Sequence, residues 1–433
     1  MKLVIRGARH VDVATRTVSD GVSVAIDDGV IAQVATDADI VDDGAEIVHA
    51  AGRYLLPGLI DSHVHIRSGA HQGPSNEAPV PDDMLGTDPE GERAGILACL
   101  AGFLYCGVTS VYDAGNAEDV ILRLRAAERS GEIASPRIFC SGAFVTATGG
   151  HGSNLGSATL IDSLPLDIGK LDQHLAREPD VLKVTYDEHN WGVRPLIPIL
   201  TPDVLRGIIA RAHAAKTRVT VHVSSETRAR EAVDCGTDAL AHPVIQSPAT
   251  DEFLWLLAVK QIPVASTLAI GSRYFSLVDD PSFLDTPLYR HCLEPAEYQR
   301  LLTVEREHQR QNRWADWMRV MTPVAQDNLR RLAEIGGVIA AGSDLSFGPE
   351  LHRELVLLQQ AGLTPWEVLR SATVNGARYI GVAERVGAIR AGQRADLILV
   401  DEDPTTDVGH LASVSAVLKD GQVIDRASLR VTG

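Results

Sequence analysis

From about residue 58 onward, short apolar segments rich in β-branched residues alternate with segments whose apolar residues recur at helical spacing. VTSVYDAG precedes VILRLRAAERSG, DVLKVTYD precedes TPDVLRGIIARAHAAK, and RVTVHVS precedes TRAREAVDCG. DALAHPV, IPVASTLAI and GVIAAGSD continue the series, with FLWLLAVKQ, NLRRLAEIG and HRELVLLQQAG as its remaining helices. A strand that returns to its neighbour through a helix joins it in parallel, so each unit adds one strand to a parallel sheet. About eight such units predict closure into an α/β fold, a (β/α)8 TIM barrel, whose working side chains gather at the carboxyl ends of the strands.

The two ends of the chain read differently. LVIRGARHVDV, VSVAIDDGVIAQVA and AEIVHAAGRYLLPG form a β meander with an Asp-Asp-Gly turn, and RADLILVDEDP and VSAVLKDGQVIDR repeat the pattern near the end. They predict a small β-sandwich built from residues 1–57 and 387–433, beside a barrel domain over 58–386. The stretch 270–325 is longer than an ordinary connection and is charged and aromatic, which predicts a helical insertion able to serve as a lid. Within it, Trp314 and Trp317 have the spacing of one helix face, as packing residues do.

A formal net charge of -17 would repel nucleic acid and anionic lipid, which leaves small molecules as the expected substrates. Cys99, Cys106, Cys140, Cys235 and Cys292 form no CxxC pair, so neither a disulfide framework nor a thiolate zinc cluster is expected. That usage suits a reducing cytoplasm. The first residues break into charge too early for a secretory signal, and no apolar run reaches the ~18 residues needed to span a bilayer.

Six residues stand where catalytic chemistry is expected. His63 and His65 end an apolar strand, and side chains two apart share a face, so both imidazoles can meet one ion. Lys183 lies among valines and a leucine. A buried ammonium loses several kcal/mol of hydration, so the amine must be paired, neutral, or converted by carbon dioxide into a carbamate that can bridge two cations. His222 and His242 end successive strands, and Asp344 follows the small residues of GVIAAGSD, where a carboxylate can bind metal and take a proton from water. Taken singly, these features also describe surface histidines, a lysine snorkelling to solvent and a helix N-cap. Their joint fall at strand ends favours a metal centre.

Through PGLIDSHVH, VLKVTYD, TVHVS, LAHP and AAGSD, in that order, the sequence resembles the amidohydrolase superfamily. The tail LTPWEVLRSATVNGARYIGVAERVGAIRAGQRADLILVD carries the same resemblance, which thus covers nearly the whole chain. The GGHG at 149–152 and the Lys183 segment are similar to the imidazolonepropionase-like and prolidase-like branch, whose members cut dipeptides and other N-acyl compounds. The resemblance implies two divalent ions, Zn²⁺ first, holding a hydroxide that attacks an amide carbonyl. His63 and His65 would bind the more buried ion, a carbamylated Lys183 would bridge, and His222 and His242 would bind the second. Asp344 would be both ligand and general base. It implies a homo-oligomer as well. His151 would act on a substrate oxygen or else only order its loop, with Tyr112, Tyr186 and His189 as further substrate contacts, although Tyr112 replaces an arginine common in that branch. Cyclic amide hydrolysis, deamination and lactone hydrolysis are alternatives on the same ligands, and a metal-free scaffold is the non-enzymatic one.

Overall fold

The computed structural model describes residues 2–41, 44–67, 89–154, 156–189, 196–311 and 313–431. Strands β1 (Lys2–Asp12), β2 (Thr17–Asp27) and β3 (Val30–Thr36) form the expected antiparallel meander. β4 (Glu46–His49) and β5 (Tyr54–Pro57) run parallel to β1, pairing with successive parts of it.

The chain then enters the barrel. β6 (Leu59–Val64), β7 (Val108–Asp113) and β8 (Arg137–Cys140) make one parallel arc. The second arc holds β9 (Phe144–Thr146), β10 (Ala158–Leu160), β11 (Val181–Thr185), β12 (Arg218–His222), β13 (Ala239–Leu240), β14 (Val264–Ala265) and β15 (Ile339–Ala340), again all parallel. Two seams join the arcs. Asp180 N donates to Cys140 O at 2.9 Å on one side, and Ser62 N donates to Ala341 O at 2.9 Å on the other. With β9 and β10 set aside, the strands of the ring number eight among the described residues, as the alternation predicts.

At the second seam the backbones come unusually close. A Cβ added to Gly342 would lie 2.8 Å from the Cβ of His63, so glycine is the residue that lets the two strand ends approach there. The helices outside follow their apolar spacing. In Pro202–Ala214, for example, the Thr201 side chain accepts from Val204 N at the start, and Leu205, Ile208, Ile209 and Ala212 form the buried stripe.

β16 (Leu397–Val400) pairs with β5, and β17 (Val414–Lys419) and β18 (Gln422–Val423) extend the same sheet, so both ends of the chain share it. The sheet curls back on itself where Ile31 N donates to Gln393 O at 2.8 Å and Ala395 N to Gly29 O at 2.9 Å. Between its two sides lie Leu3, Ile5, Val24, Ile31, Leu55 and Leu397, the core of a small sandwich.

The segment RIFCSGAFV forms two strands, because Gly142 turns the chain with φ 76°. One segment departs from the sequence reading. IPVASTLAI stops as a strand at Ala265, where Thr267 takes φ 40° and starts the helix Leu268–Asp279. That helix opens a run of helices through Pro287–Cys292, Pro295–Arg300 and Arg306–Gln311 to the long helix Arg313–Glu334. Its inner face is packed. Trp314 is buried and stacks on Tyr274 with ring centroids 5.9 Å apart. No helix among the described residues is long and apolar enough to cross a membrane.

Candidate metal centre

Each of the six residues singled out from sequence stands near the carboxyl end of a barrel strand. His63 is on β6 and His65 just beyond it, Lys183 is on β11 and His222 closes β12. His242 follows β13, and Asp344 follows β15. Nδ1 of His63 lies 3.0 Å from Ala241 O, and Nδ1 of His65 lies 2.7 Å from Gly115 O. A carbonyl accepts and cannot donate, so both rings carry a proton on Nδ1, which leaves Nε2 as the nitrogen that a neutral ring offers to a metal.

Those nitrogens face Asp344, whose Oδ1 is 3.6 Å from His63 Nε2 and 3.3 Å from His65 Nε2. His63, His65 and Asp344 each offer one ligand atom, all within 4.8 Å of one another. Lys183 Nζ lies 3.2 Å from the same His63 Nε2, and burial brings its amine down to about 7. Burial also pushes the Asp344 carboxyl upward. His63, His65 and Lys183 outweigh it and hold the group well below the usual carboxylate range, as an anion among positive or polarisable neighbours should be.

The remaining imidazoles ring this group. His242 is 4.7 Å from His63 and 4.4 Å from His222 between centroids, and its Nδ1 contacts Thr267 Oγ1 at 2.9 Å. His222 Nε2 donates to Asp187 Oδ2 at 3.3 Å. His151 stacks on His222, its glycine-rich loop bringing the rings to 4.3 Å. His189 is half-buried on the loop after β11, where its backbone N–H donates to Asp187 Oδ1 at 3.0 Å.

Two expected substrate contacts do not join them. Tyr112 is fully buried and donates to Val181 O at 3.0 Å, at the opening end of β11, packed with Ile60, Phe139 and Tyr379 inside the barrel. It fills the interior rather than lining the mouth. Tyr186 points outward because residues 183, 185 and 187 take the inner face of β11. Its hydroxyl donates to Glu231 Oε2 at 2.7 Å on the helix Glu226–Cys235.

Sequence reading passed over the carboxylates behind the ligands. Asp187, buried and held as an anion by His222 and His151, is two steps of the strand alternation beyond Lys183, a periodicity that could have found it. Asp113 accepts from Ile66 N, Gly115 N and Asn116 Nδ2 at 2.7, 3.0 and 3.0 Å, which shapes the loop whose Gly115 carbonyl orients His65. Asp61 stands between β6 and the segment that carries Asp344.

A closed parallel barrel with imidazoles, an amine and a carboxylate converging at its carboxyl end defines the class, a TIM-barrel hydrolase. Residues 54–241 and 320–425 match the amidohydrolase family, and the chain belongs to it. Ochratoxinase of Aspergillus niger is 24% identical over 420 residues, spanning 88% of this chain and 78% of that protein. An imidazolonepropionase of Deinococcus deserti is 38% identical over 93 residues, 20% of this chain and 23% of that one. A crystal structure of a Xaa-Pro dipeptidase with methionine bound in its active site matches with TM-score 0.77 at 20% identity, covering 98% of this chain and 100% of that one.

Proposed function

We propose that this chain is a metal-dependent hydrolase that cleaves the amide C–N bond of a small N-acyl amino acid, dipeptide or related amide. The observation that carries the reading is the convergence of His63, His65 and Asp344 within 4.8 Å, with Lys183 3.2 Å from His63. Two bare imidazole nitrogens and a carboxylate are the donor set that divalent Zn²⁺ accepts, so these residues fit a metal ion. Lys183 as a carbamate would complete that site and, with His222 and His242, supply donors for a second ion. Divalent metal, when bound, lowers the pKa of a coordinated water toward ~7 and polarises the scissile carbonyl.

The chain's own residues do the rest. Asp344, held as an anion beside His63 and His65, takes the proton of the attacking water and returns it to the leaving nitrogen, which departs poorly as an anion. His151 is placed against His222 to donate to the carbonyl oxygen as charge develops there, with His189 at the mouth as a further substrate contact. A peptide-like amide is the first class to test, since a relative matched over 88% of this chain is an ochratoxinase and a fold neighbour a Xaa-Pro dipeptidase.

The test compares metal-stripped enzyme with enzyme reloaded with Zn²⁺, Mn²⁺ or Co²⁺ on N-acyl amino acids, dipeptides, cyclic amides, lactones and adenine-type amidines. Metal-dependent release of amine from a linear amide is expected. Activity restricted to lactones or amidines moves the assignment to those reactions, and full activity after stripping overturns the metal role.

A further inference from the structure

The candidate site straddles the seam between β6 and β15, and one buried carboxylate crosses that seam. Asp61 is 0% exposed and accepts three hydrogen bonds. His63 N and Ser343 N donate to its Oδ1 at 3.2 and 2.9 Å, and Ser343 Oγ donates to its Oδ2 at 2.6 Å. Ser343 Oγ also receives Leu345 N at 3.3 Å, so the residues on both sides of Asp344 are held through one hydroxyl. Asp344 itself sits at φ 57°, the left-handed region that a non-glycine residue keeps when its surroundings over-determine it, and its N–H donates to His63 O at 2.7 Å.

Other bonds cross the same seam beside these. Ser62 N and Ser62 Oγ both reach Ala341 O, at 2.9 and 2.7 Å, one step deeper in the barrel. What Asp61 and Ser343 add is a fixed distance from the backbone of His63 to the backbone on either side of Asp344.

We infer that Asp61 and Ser343 form a clasp across the barrel seam that sets the spacing between the His63/His65 imidazoles and the Asp344 carboxylate. They are positioning residues for the metal site, an inference that rests on the function proposed above and deepens it. Partners that orient metal ligands typically change affinity by about 10–100-fold when removed. Asp61→Asn keeps an oxygen for the two backbone donors but turns an NH2 toward Ser343. Ser343→Ala removes the hydroxyl and with it the bonds to Asp61 Oδ2 and from Leu345 N, leaving only the Ser343 backbone N–H on Asp61 Oδ1.

The experiment titrates Co²⁺ into metal-stripped parent, Asp61→Asn, Ser343→Ala and Ser62→Ala, reading the dissociation constant by chelator competition and the visible absorption of the bound ion. Melting curves check folding, and Asp61→Asn carries the test if Ser343→Ala does not fold. The expected result is weakening by about 10–100-fold with altered absorption bands in the two clasp variants, against a change within about twofold in Ser62→Ala. Parent-like affinity and spectrum in both clasp variants overturns the clasp, as does equal weakening by Ser62→Ala, which would mark a general seam effect. Failure of the parent to bind Co²⁺ at all is a different result, because it removes the proposed metal chemistry itself.

Discussion

The amine of Lys183 lies 3.2 Å from Nε2 of His63, with both side chains closed off from solvent. Because Nδ1 of that histidine donates to Ala241 O, Nε2 offers the lysine a lone pair to donate to, and a metal ion on Nε2 would displace that donation. A carbamate on Lys183, as proposed above, would ligate beside His63 instead. Lys183→Arg keeps the charge but cannot form a carbamate. It is expected to bind markedly less metal and to lose more than about 100-fold in turnover, while Lys183→Glu, which restores an anion, recovers metal content above Lys183→Arg. Elemental analysis of the purified variants checks this, and full metal content in Lys183→Arg would count against the bridge.

Asp344→Asn separates base from ligand. Asparagine tolerates the left-handed φ of 57° about as well as aspartate, so the fold should survive. Its amide oxygen can still face metal but cannot carry a proton from water to nitrogen. Turnover is expected to fall by about 10²–10⁴-fold with much of the metal retained. Parent-like kcat with full metal occupancy would remove Asp344 from the proton path.

Thr267 holds a β-branched side chain at φ 40° while its hydroxyl contacts Nδ1 of His242 at 2.9 Å. Strain of this kind is on the order of 1–3 kcal/mol and persists where something is gained from it. Thr267→Val keeps the shape and loses the hydroxyl, so affinity for the second ion should drop by about 10-fold or more. Thr267→Ser keeps the hydroxyl and sheds the branch, and should bind metal like the parent with a higher melting temperature. Calorimetry paired with metal titration reads both. Equal metal affinity in Thr267→Val and Thr267→Ser would show that the hydroxyl does not orient His242.

The fold was legible because its period is long and redundant: each strand-then-helix unit repeats the same apolar grammar, and His63, Lys183, His222, His242 and Asp344 fall at the same phase of it. Tyr112 and Tyr186 were misread for a local reason. Inner and outer faces alternate residue by residue along β11, so Tyr186 beside Lys183's segment turns to the helix layer, and Tyr112 belongs to the filled barrel interior. The Asp61–Ser343 contact joins residues 282 positions apart and leaves no local mark in sequence. Thr267 was equally hidden, since an apolar, β-branched IPVASTLAI gives no warning of a left-handed turn.

Glu354, behind the candidate ligands, should give the protein a pH-dependent stability. It is buried, Ser266 Oγ and Ala269 N reach its two oxygens, and burial pushes its carboxyl from 4.5 up to about 8. The folded state therefore binds a proton that the unfolded state releases between these values, and stability falls as pH rises from about 4.5 to about 8. Glu354→Gln keeps a neutral donor and acceptor at the same place. Relative to the parent it should gain roughly a few kcal/mol on going from pH 5 to pH 8, measured by urea unfolding. Parallel pH–stability curves for the two proteins would exclude this group as the source.

Arg137 fastens the barrel to the terminal sheet. From β8 its guanidinium reaches Asp396 Oδ2 at 3.0 Å and Asp420 Oδ1 at 2.6 Å, with Arg137 and Asp396 side chains only 9% and 3% exposed. Burial of such a group adds little net stability while it is paired, but removing the cation leaves a buried carboxylate uncompensated. Arg137→Met does this to Asp396, while Asp420 keeps Lys419 at 2.9 Å and Arg394 at 3.5 Å, and should destabilise by about 3–5 kcal/mol in urea unfolding. Adding Asp396→Asn discharges the more buried of the two, so the double variant should be more stable than Arg137→Met alone. Co²⁺ affinity should stay unchanged in both, since Arg137 and Asp396 meet at the start of the strands, opposite the end that carries His63, Lys183 and Asp344. Additive losses in the double variant would show that the charges at this junction act independently.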